Sequence, residues 1–379
     1  RSTDARGVYN VIFQYQQPDL GLAAGRLATR LVNALVYRND AEFNYQSELE
    51  TLIRLAERIA YGPSTKALVD EAERRGIPVI RLDPRRSLVQ LGHGVHQKRI
   101  WATVTSATSD IAVDIASNKR LTNQLLRSVG IPVPRSATVS TAEEAVSAAR
   151  TVRYPVVLKP LDGNHGRGVQ INLKTDDEVR ASFAGAYEAS RSGTVIVESY
   201  IVGRDYRILV VGGKMIACAE RVPAHVIGDG SRTVRELIDV TNADPRRGIG
   251  HEKVLTRISV DESVITLLEK DGLTLDSVPE KGTFVQLRLT GNMSTGGISI
   301  DRTDDIHPDN VEIAEQAAQV IGLDVAGIDM ITLDINKPVK DQGGAICEVN
   351  AGPGFRMHTH PTEGVQRDVA RPVLELLFP

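Results

Sequence analysis

Three features of this 379-residue sequence predict a mixed α/β (α+β) fold. Strand-like β-branched runs alternate with amphipathic helical stretches after residue 110, Gly212-Gly213 sits between two apolar runs, and apolar strands end in Lys159 and Glu198. Apolar spacing near 3.6 residues marks helices, and alternation or short β-branched runs mark strands. The organisation read from these signals is a small α/β domain at 1–109 and a larger domain at 110–379 with a helical insertion near 230–280.

In the first domain the reading is a strand near 8–15, helices over 20–36 and 47–60, and a third helix over 66–75 introduced by Gly62-Pro63-Ser64-Thr65. Proline suits the first helical turn because its missing N–H would be unpaired there anyway. A strand at 77–82 follows, and 88–91 and 99–105 are extended, joined by a basic stretch at 92–99 that reads as a solvated hairpin loop. In the second domain a helix over 119–129 stops at Gly130-Ile131-Pro132, where glycine caps and proline forbids continuation. Then come helix 142–152, strand 155–159, a glycine loop, strand 169–173, helix 176–190 and strand 194–199. Strands 206–211 and 215–221 pair across Gly212-Gly213, a two-residue hairpin signal. A helical excursion over 233–275, strand 283–289, loop 290–297, helix 308–321, strands 325–334 and 345–350 and a closing helix over 365–377 complete the chain.

Composition narrows the partners. With 41% hydrophobic residues the chain can bury two or three cores. A net charge of −3 gives no global attraction to nucleic acid or to an anionic membrane, so neither is expected as a partner and an anionic ligand needs a local basic pocket. Cys218 and Cys347 are too few for a disulfide framework, which fits a reducing cytoplasm. The start Arg1-Ser2-Thr3-Asp4 is no signal peptide, and the missing initiator Met suggests a fragment.

The chemistry concentrates in two places. Val156-Val157-Leu158-Lys159 runs into a loop carrying Gly163, Asn164, His165, Gly166 and Gly168, where backbone N–H groups can approach phosphate oxygens unobstructed. A strand follows and no Lys-Ser or Lys-Thr pair does, which excludes a P-loop and favours a lid folded over a triphosphate. If 325–334 and 345–350 form a hairpin, Asp329 falls roughly opposite Val349, beside Glu348 and Asn350, which share a face by the period of two. Hard oxygen ligands gathered in this way suit magnesium (Mg2+). Lys159 and Lys119 can point charge at phosphates, Glu198 with Tyr200 and Ile201 can meet an adenine edge, and Asp205 can hold ribose hydroxyls. Arg288 offers a planar guanidinium for two oxygens at once. Arg356 and His358 follow the magnesium strand and point to substrate-carboxylate binding or plain packing, and His358 with His360 lacks a third ligand for zinc.

These residues resemble the ATP-grasp superfamily and, within it, the cyanophycin synthetases. The resemblance rests on Leu158-Lys159-Pro160 through Gly168-Val169, on Arg221-Val222-Pro223-Ala224-His225, and on Glu348-Val349-Asn350-Ala351-Gly352-Pro353-Gly354-Phe355-Arg356-Met357-His358, and it extends over nearly the whole chain. It implies an ATP-grasp fold for 110–379, ATP and Mg2+ as cofactors, and an ATP-dependent ligase that adds aspartate to the C-terminal carboxylate of an aspartate-arginine polymer or primer. By motif it makes Lys119 and Lys159 phosphate ligands, Glu198 the adenine-side carboxylate, Asp205 the ribose contact, and Asp329, Glu348 and Asn350 metal ligands. It places Arg288, Asn292, Ser294, Thr295, Gly296 and Gly297 around the reacting acyl group. A Mur-ligase-like domain that adds arginine is expected C-terminal to this piece, and the assembly is expected to be a homo-oligomer. Asn118 stands where relatives usually have Asp, and Gly352 where they often have Ala, which touches subfamily more than chemistry. The alternatives are a ligase polymerising β-aspartyl-arginine dipeptides, another ATP-grasp amino-acid ligase, and a catalytically silent nucleotide-binding module.

Overall fold

A computed structural model of the chain describes residues 6, 8–15, 17–37, 43–83, 86–162, 168–249 and 253–379. It divides into two compact units, Arg1–Tyr61 with Asp83–Arg86, and Gly62–Leu82 with Ser87–Pro379. In the first, α1 (Pro18–Tyr37) and α2 (Tyr45–Ile59) lie against each other, with Arg30 ion-paired to Glu48 and Asn44 capping α2 through the Ser47 N–H. The strand expected at 8–15 does not form. Beyond a single bridge at Tyr9 those residues are irregular, and a strand needs a hydrogen-bonded neighbour along its length.

The second unit opens with α3 (Pro63–Arg74) and a sheet of β1 (Val79–Asp83), β2 (Leu88–Leu91), β3 (Lys98–Trp101) and β4 (Val104–Thr105) in that order. The basic stretch at 92–99 is the hairpin connection expected, tightened by a 3-10 turn at Gly94–His96. Two helices, α4 (Asp110–Ser117) and α5 (Lys119–Ser128), lead into a sheet of β5 (Ser136–Val139), β8 (Val195–Ser199), β6 (Val156–Pro160) and β7 (Gln170–Leu173), again in spatial order. One face of it is hydrocarbon: Val156, Leu158, Val195 and Val197 pack with α6 (Ala142–Val152) and α7 (Asp176–Glu188).

A five-stranded antiparallel sheet follows, ordered β15 (Ile298–Asp301), β10 (Lys214–Val222), β9 (Arg204–Val211), β16 (Val325–Thr332), β17 (Ala345–Asn350). The β9–β10 hairpin turns at Gly212-Gly213 as expected, and both glycines have the positive φ that a tight two-residue turn requires. Tyr206, Ile208, Val210, Ile328 and Met330 face one core with the Ile313, Ala314, Ala317, Ala318 and Ile321 side of α10 (Pro308–Ile321), each large aliphatic side chain contributing about 1.5–3 kcal/mol of burial. Between β10 and β15 lies the insertion: β11 (His225–Ile227) pairs β14 (Phe284–Gln286), α8 (Val234–Asn242) and α9 (Glu262–Lys270) cover it, and β12 (Arg247–Gly248) pairs β13 (Leu255–Thr256). The chain ends with α11 (Arg356–Thr359) and α12 (Ala370–Leu377).

Several elements differ from expectation. The helix α4, the short strands β5, β11 and β15, and the single turn α11 were not anticipated, because each is brief and its periodicity weak. The closing helix starts at Ala370, not at 365. Arg367 is drawn sideways to Asp301 and Asp304, both at 2.6 Å, and its N–H donates to the His358 carbonyl, so that stretch cannot wind.

Gly327 in β16 is required for space. A Cβ there would stand 2.7 Å from the Pro353 Cβ and 3.1 Å from the Arg207 guanidinium. Gly327→Ala should lower unfolding free energy by about 1–3 kcal/mol, the range for overpacking a tight interior. Urea denaturation checks this, and a parental midpoint would show that the strand gives way freely.

Candidate active site

Both large sheets put polar residues on the face away from their hydrocarbon core. On the first, cross-strand pairing sets Ser136 and Val157 beside Glu198, and Thr138 and Lys159 beside Ile196. Lys159 reaches diagonally to Glu198, Nζ to Oε2 2.6 Å, with both side chains nearly buried. Burial alone would depress the Lys159 ammonium, but Glu198, with Cys347 and Glu348 beyond it, holds its pKa above the usual value. That lysine stays charged and already faces β17.

From the other side, Lys119 opens α5 and its Nζ lies 3.8 Å from Glu348. A cleft of about 150 Å³ is lined by Lys119, Arg120, Ser136, Ala137, Thr138, Ile196 and Glu198. Ligand pockets commonly enclose roughly 300–1,000 Å³, so this cleft is smaller than a whole ligand site. Tyr200 and Ile201 follow β8 directly, the Tyr200 N–H donating to the Pro155 carbonyl at 2.9 Å. Gly168 has φ +71° and sits so close to α7 that a Cβ would meet the Ala189 Cβ at 2.5 Å. Asn164, His165 and Gly166 lie outside the described residues.

The five-stranded sheet carries a row of charges on its cleft face. Register places Asp205 opposite Arg221, Arg207 opposite Asp329, Asp329 opposite Glu348, and Gly327 opposite Asn350. Asp329 therefore does not fall opposite Val349 as expected. The connection 333–344 is too long to dictate register, and β17 carries a bulge at Cys347 that adds a residue before Glu348. The bulge lets Ile346 and Val349 both enter the core while Glu348 and Asn350 look into the cleft.

Asp329 is buried between two arginines. Arg207 pairs with it through Nε and through NH2 at 3.2 Å, and Arg221 NH2 lies 3.0 Å from Oδ2 and 2.6 Å from the Asp205 carboxylate. Burial would raise the Asp329 pKa, but the arginines hold it below the carboxylate range, whereas at Asp205 burial prevails over Arg221 and raises it. As hard-cation ligands, Glu348 and Asn350 fit. Asn350 turns its amide N–H to the Gly327 carbonyl at 3.3 Å, which leaves its side-chain oxygen for another partner. Asp329 joins them only by releasing arginines that occupy both its oxygens. Among the described residues no cluster of three His, Cys, Asp or Glu side chains is arranged to hold a metal.

The remaining predicted residues lie in the insertion and beyond β17. Arg288 is engaged: NH1 donates to Asp261 Oδ1 at 3.0 Å and to Ser263 Oγ, and NH2 to Asp261 Oδ2 at 2.7 Å and to the Ser259 carbonyl at 3.1 Å. Its four terminal N–H groups are used, and the buried Nε–H has no partner. Asp261 in turn is held down to about 2, first by that guanidinium. Asn292 caps the 3-10 turn Met293–Thr295 through the Ser294 N–H at 2.8 Å, and Gly296 and Gly297 close the loop. Arg356 is half-buried in α11, and burial lowers its pKa. His358 is 2% exposed with neither ring nitrogen hydrogen-bonded, and burial, with Arg207 second, depresses its pKa to about 3.

Arg207 and Arg221 were not assigned in the sequence. The available signal was charged residues two apart, Asp205 and Arg207, in an otherwise apolar run. Arg247 and Asp261 gave none.

Known proteins are similar to this chain in sequence and in fold. A family model for the ATP-grasp domain matches residues 116–204, which hold the four strands β5 to β8, and one for the RimK-like ATP-grasp domain matches 284–375, which hold β15, β16 and β17 of the five-stranded sheet. The chain belongs to the ATP-grasp superfamily. Over 100% of its length it is 51% identical to the cyanophycin synthetase of Crocosphaera subtropica, covering 44% of that protein, and 50% identical to that of a Synechocystis species, also covering 44%. It thus spans less than half the length of the curated relatives it matches. A bifunctional glutathione synthetase from Pasteurella multocida superposes with a TM-score of 0.65 at 32% identity, over 88% of this chain and 46% of that one. No helix among the described residues is long and apolar enough to cross a membrane.

His358 sets a pH dependence. Its imidazole, ordinarily near 6.5, stays neutral in the fold down to about 3, so between those values the unfolded chain binds the extra proton. The associated stability is complete above 6.5 and is lost as pH falls toward 3. Unfolding free energy should therefore decline faster in the parent than in His358→Leu, by up to about 1.4 kcal/mol per pH unit. Equal slopes in denaturant titrations at several pH values would place the proton elsewhere.

Proposed function

We propose that this chain is the carboxylate-activating part of an ATP-dependent acid–amine ligase of the cyanophycin synthetase type. The supporting observation is that Lys119 lines one cleft with Glu198, the ion-pair partner of Lys159, and lies 3.8 Å from Glu348, whose sheet face also carries Asn350, in a chain similar over its whole length to cyanophycin synthetases. A free carboxylate is a poor electrophile. On this reading the C-terminal carboxylate of an aspartate-backbone polymer attacks the γ-phosphate of ATP, giving an acyl phosphate and ADP, and the amine of aspartate then displaces phosphate.

Lys159 supplies fixed positive charge to the phosphates, its orientation held by Glu198, and Lys119 does so from α5. Glu198, Tyr200 and Ile201 line the adenine side, and Asp205 keeps one carboxylate oxygen for a ribose hydroxyl while Arg221 holds the other. Glu348 and Asn350, with Asp329 once its arginines release it, would hold magnesium, which would neutralise phosphate charge. Arg288 receives the acyl phosphate by exchanging Asp261 for it, an exchange favoured by the higher charge of the phosphate and the exposed position of Asp261. The loop 292–297 surrounds the reacting acyl group, and Arg356 and His358 border the substrate carboxylate.

The partners are then aspartate and an aspartate-arginine polymer end, with a Mur-ligase-like activity adding arginine to the same polymer, in a cytoplasmic homo-oligomer. The β-aspartyl-arginine dipeptide as added unit and a silent nucleotide-binding module remain the competing readings, and one assay separates them.

Glu348→Ala should keep its far-UV dichroism and lose turnover by roughly a hundredfold or more, as loss of a metal ligand does. ADP release within a few-fold of the parent would remove Glu348 from the metal site. With ATP, Mg2+ and aspartate, mass spectrometry of an arginine-branched primer should show one aspartate added per ADP, while the same primer amidated at its C-terminus stays unchanged. Extension of the amidated primer would reverse the proposed direction, incorporation of dipeptide alone would select the dipeptide ligase, and no ADP from any primer would select the silent module.

A further inference from the structure

The segment between α8 and α9 grips the loop 292–297. Asn242, the last residue of α8, mimics a strand neighbour: its side chain accepts from the Ile258 N–H at 2.8 Å and donates to the Ile258 carbonyl at 2.9 Å. Ile258 is thereby fixed beneath Gly296, whose φ is +97° and where a Cβ would stand 2.7 Å from the Ile258 Cγ1. Arg247 closes the grip. One terminal nitrogen donates to the Thr256 carbonyl at 2.6 Å and to the Gly296 carbonyl at 3.0 Å, joining β13 to the loop.

This guanidinium is unusually placed. It is 5% exposed, and its hydrogen bonds among the described residues go only to carbonyls. The nearby Asp244 carboxylate turns to Arg246 instead, at 2.8 Å, and burial lowers the Arg247 pKa. Burying a charge without a hydrogen-bonded counter-ion costs several kcal/mol, and a well-packed apolar side chain would hold the fold at less cost. What an apolar side chain cannot do is fix the orientation of the Gly296 peptide.

We propose that Arg247 is a positioning residue for the loop 292–297, fixing the Gly296 carbonyl and so the peptide it shares with Gly297, whose N–H closes the loop on the Asn292 carbonyl at 3.2 Å, and with them the direction in which Asn292 and Ser294 are presented. The inference rests on the reading that this loop surrounds the reacting acyl group. With the loop loose, ATP still binds and the acyl phosphate still forms, but it meets water more often before the amine arrives.

The test compares Arg247→Leu, Arg247→Lys, Asn292→Ala and the parent 379-residue chain. Melting temperature, ATP affinity, kcat for ADP release and amide formed per ADP are measured with the arginine-branched primer. Arg247→Leu should melt near the parent and bind ATP with unchanged affinity, yet form amide at least about tenfold more slowly and with fewer bonds per ADP, as a misplaced reacting group predicts. Arg247→Lys, with charge and several N–H donors but no planar fork, should recover part of the coupling. Parental coupling in Arg247→Leu while Asn292→Ala is impaired overturns the role of Arg247 and leaves the reading of the loop intact. Parental turnover in Asn292→Ala overturns the reading itself. Loss of ATP affinity and melting temperature in proportion to kcat marks a purely structural arginine and also overturns the proposal. Should the Leu variant not fold, Arg247→Gln replaces it, and parental coupling there has the same meaning.

Discussion

Asp329, enclosed by Arg207 and Arg221 on the cleft face of the five-stranded sheet, is the contact around which the site is built. Its energetics are asymmetric. An intact buried array of this kind is close to neutral against a hydrocarbon replacement, but removing one member strands a charge at about 3–5 kcal/mol. The array therefore tolerates exchange of partners and not their loss. In the proposed function a cation would compete with the arginines for Asp329, and a carboxylate or phosphate would compete with Asp329 for the arginines. Each event would release groups that the other needs, which would couple the two ligands through one carboxylate. The same logic would apply on a smaller scale at Arg288, held by Asp261 until a more highly charged anion took its place.

The two sheets share one design. Each devotes one face to hydrocarbon, beneath α6 and α7 in one case and α10 in the other, and leaves the opposite face polar. Rigid packing behind the strands is what allows Lys159, Glu198, Asp329 and Glu348 to be held at fixed separations without loops of their own. The groups attributed to the reacting end of the substrate sit differently, on the insertion between β10 and β15, where Asn242, Arg247, Asp261 and Arg288 cross-link short segments through side chains. On the proposed reading, phosphate chemistry would have a stiff floor and the acyl group a framework assembled from tethers.

Much of this was legible in the sequence because it depends on local pattern. The Gly212-Gly213 turn, the strand ending at Lys159, the strand ending at Glu198 and the shared face of Glu348 and Asn350 follow from periodicity and turn chemistry alone. What was not legible depends on pairing. The register of Asp329 required knowing of a bulge at Cys347, which no residue type announces. Arg207 and Arg221 read as ordinary strand charges until neighbouring strands place carboxylates beside them, and Arg247 has two carbonyl partners that carry no side-chain signature. The apolar run at 8–15 shows the converse: its pattern suits a strand, but a pattern cannot supply the neighbour that a strand needs.

The bulge in β17 separates numbering along the chain from side of the sheet. Ile346 and Val349 stand three residues apart, an odd interval that a regular strand would send to opposite sides, and the extra residue at Cys347 returns both to the hydrocarbon. A strand shortened at that position would keep Asp329 opposite Glu348 and Gly327 opposite Asn350. A strand that kept the residue but ran straight would turn Glu348 and Asn350 toward the hydrocarbon and Val349 toward the cleft. The number of residues at 347 and the bulge can therefore change only together.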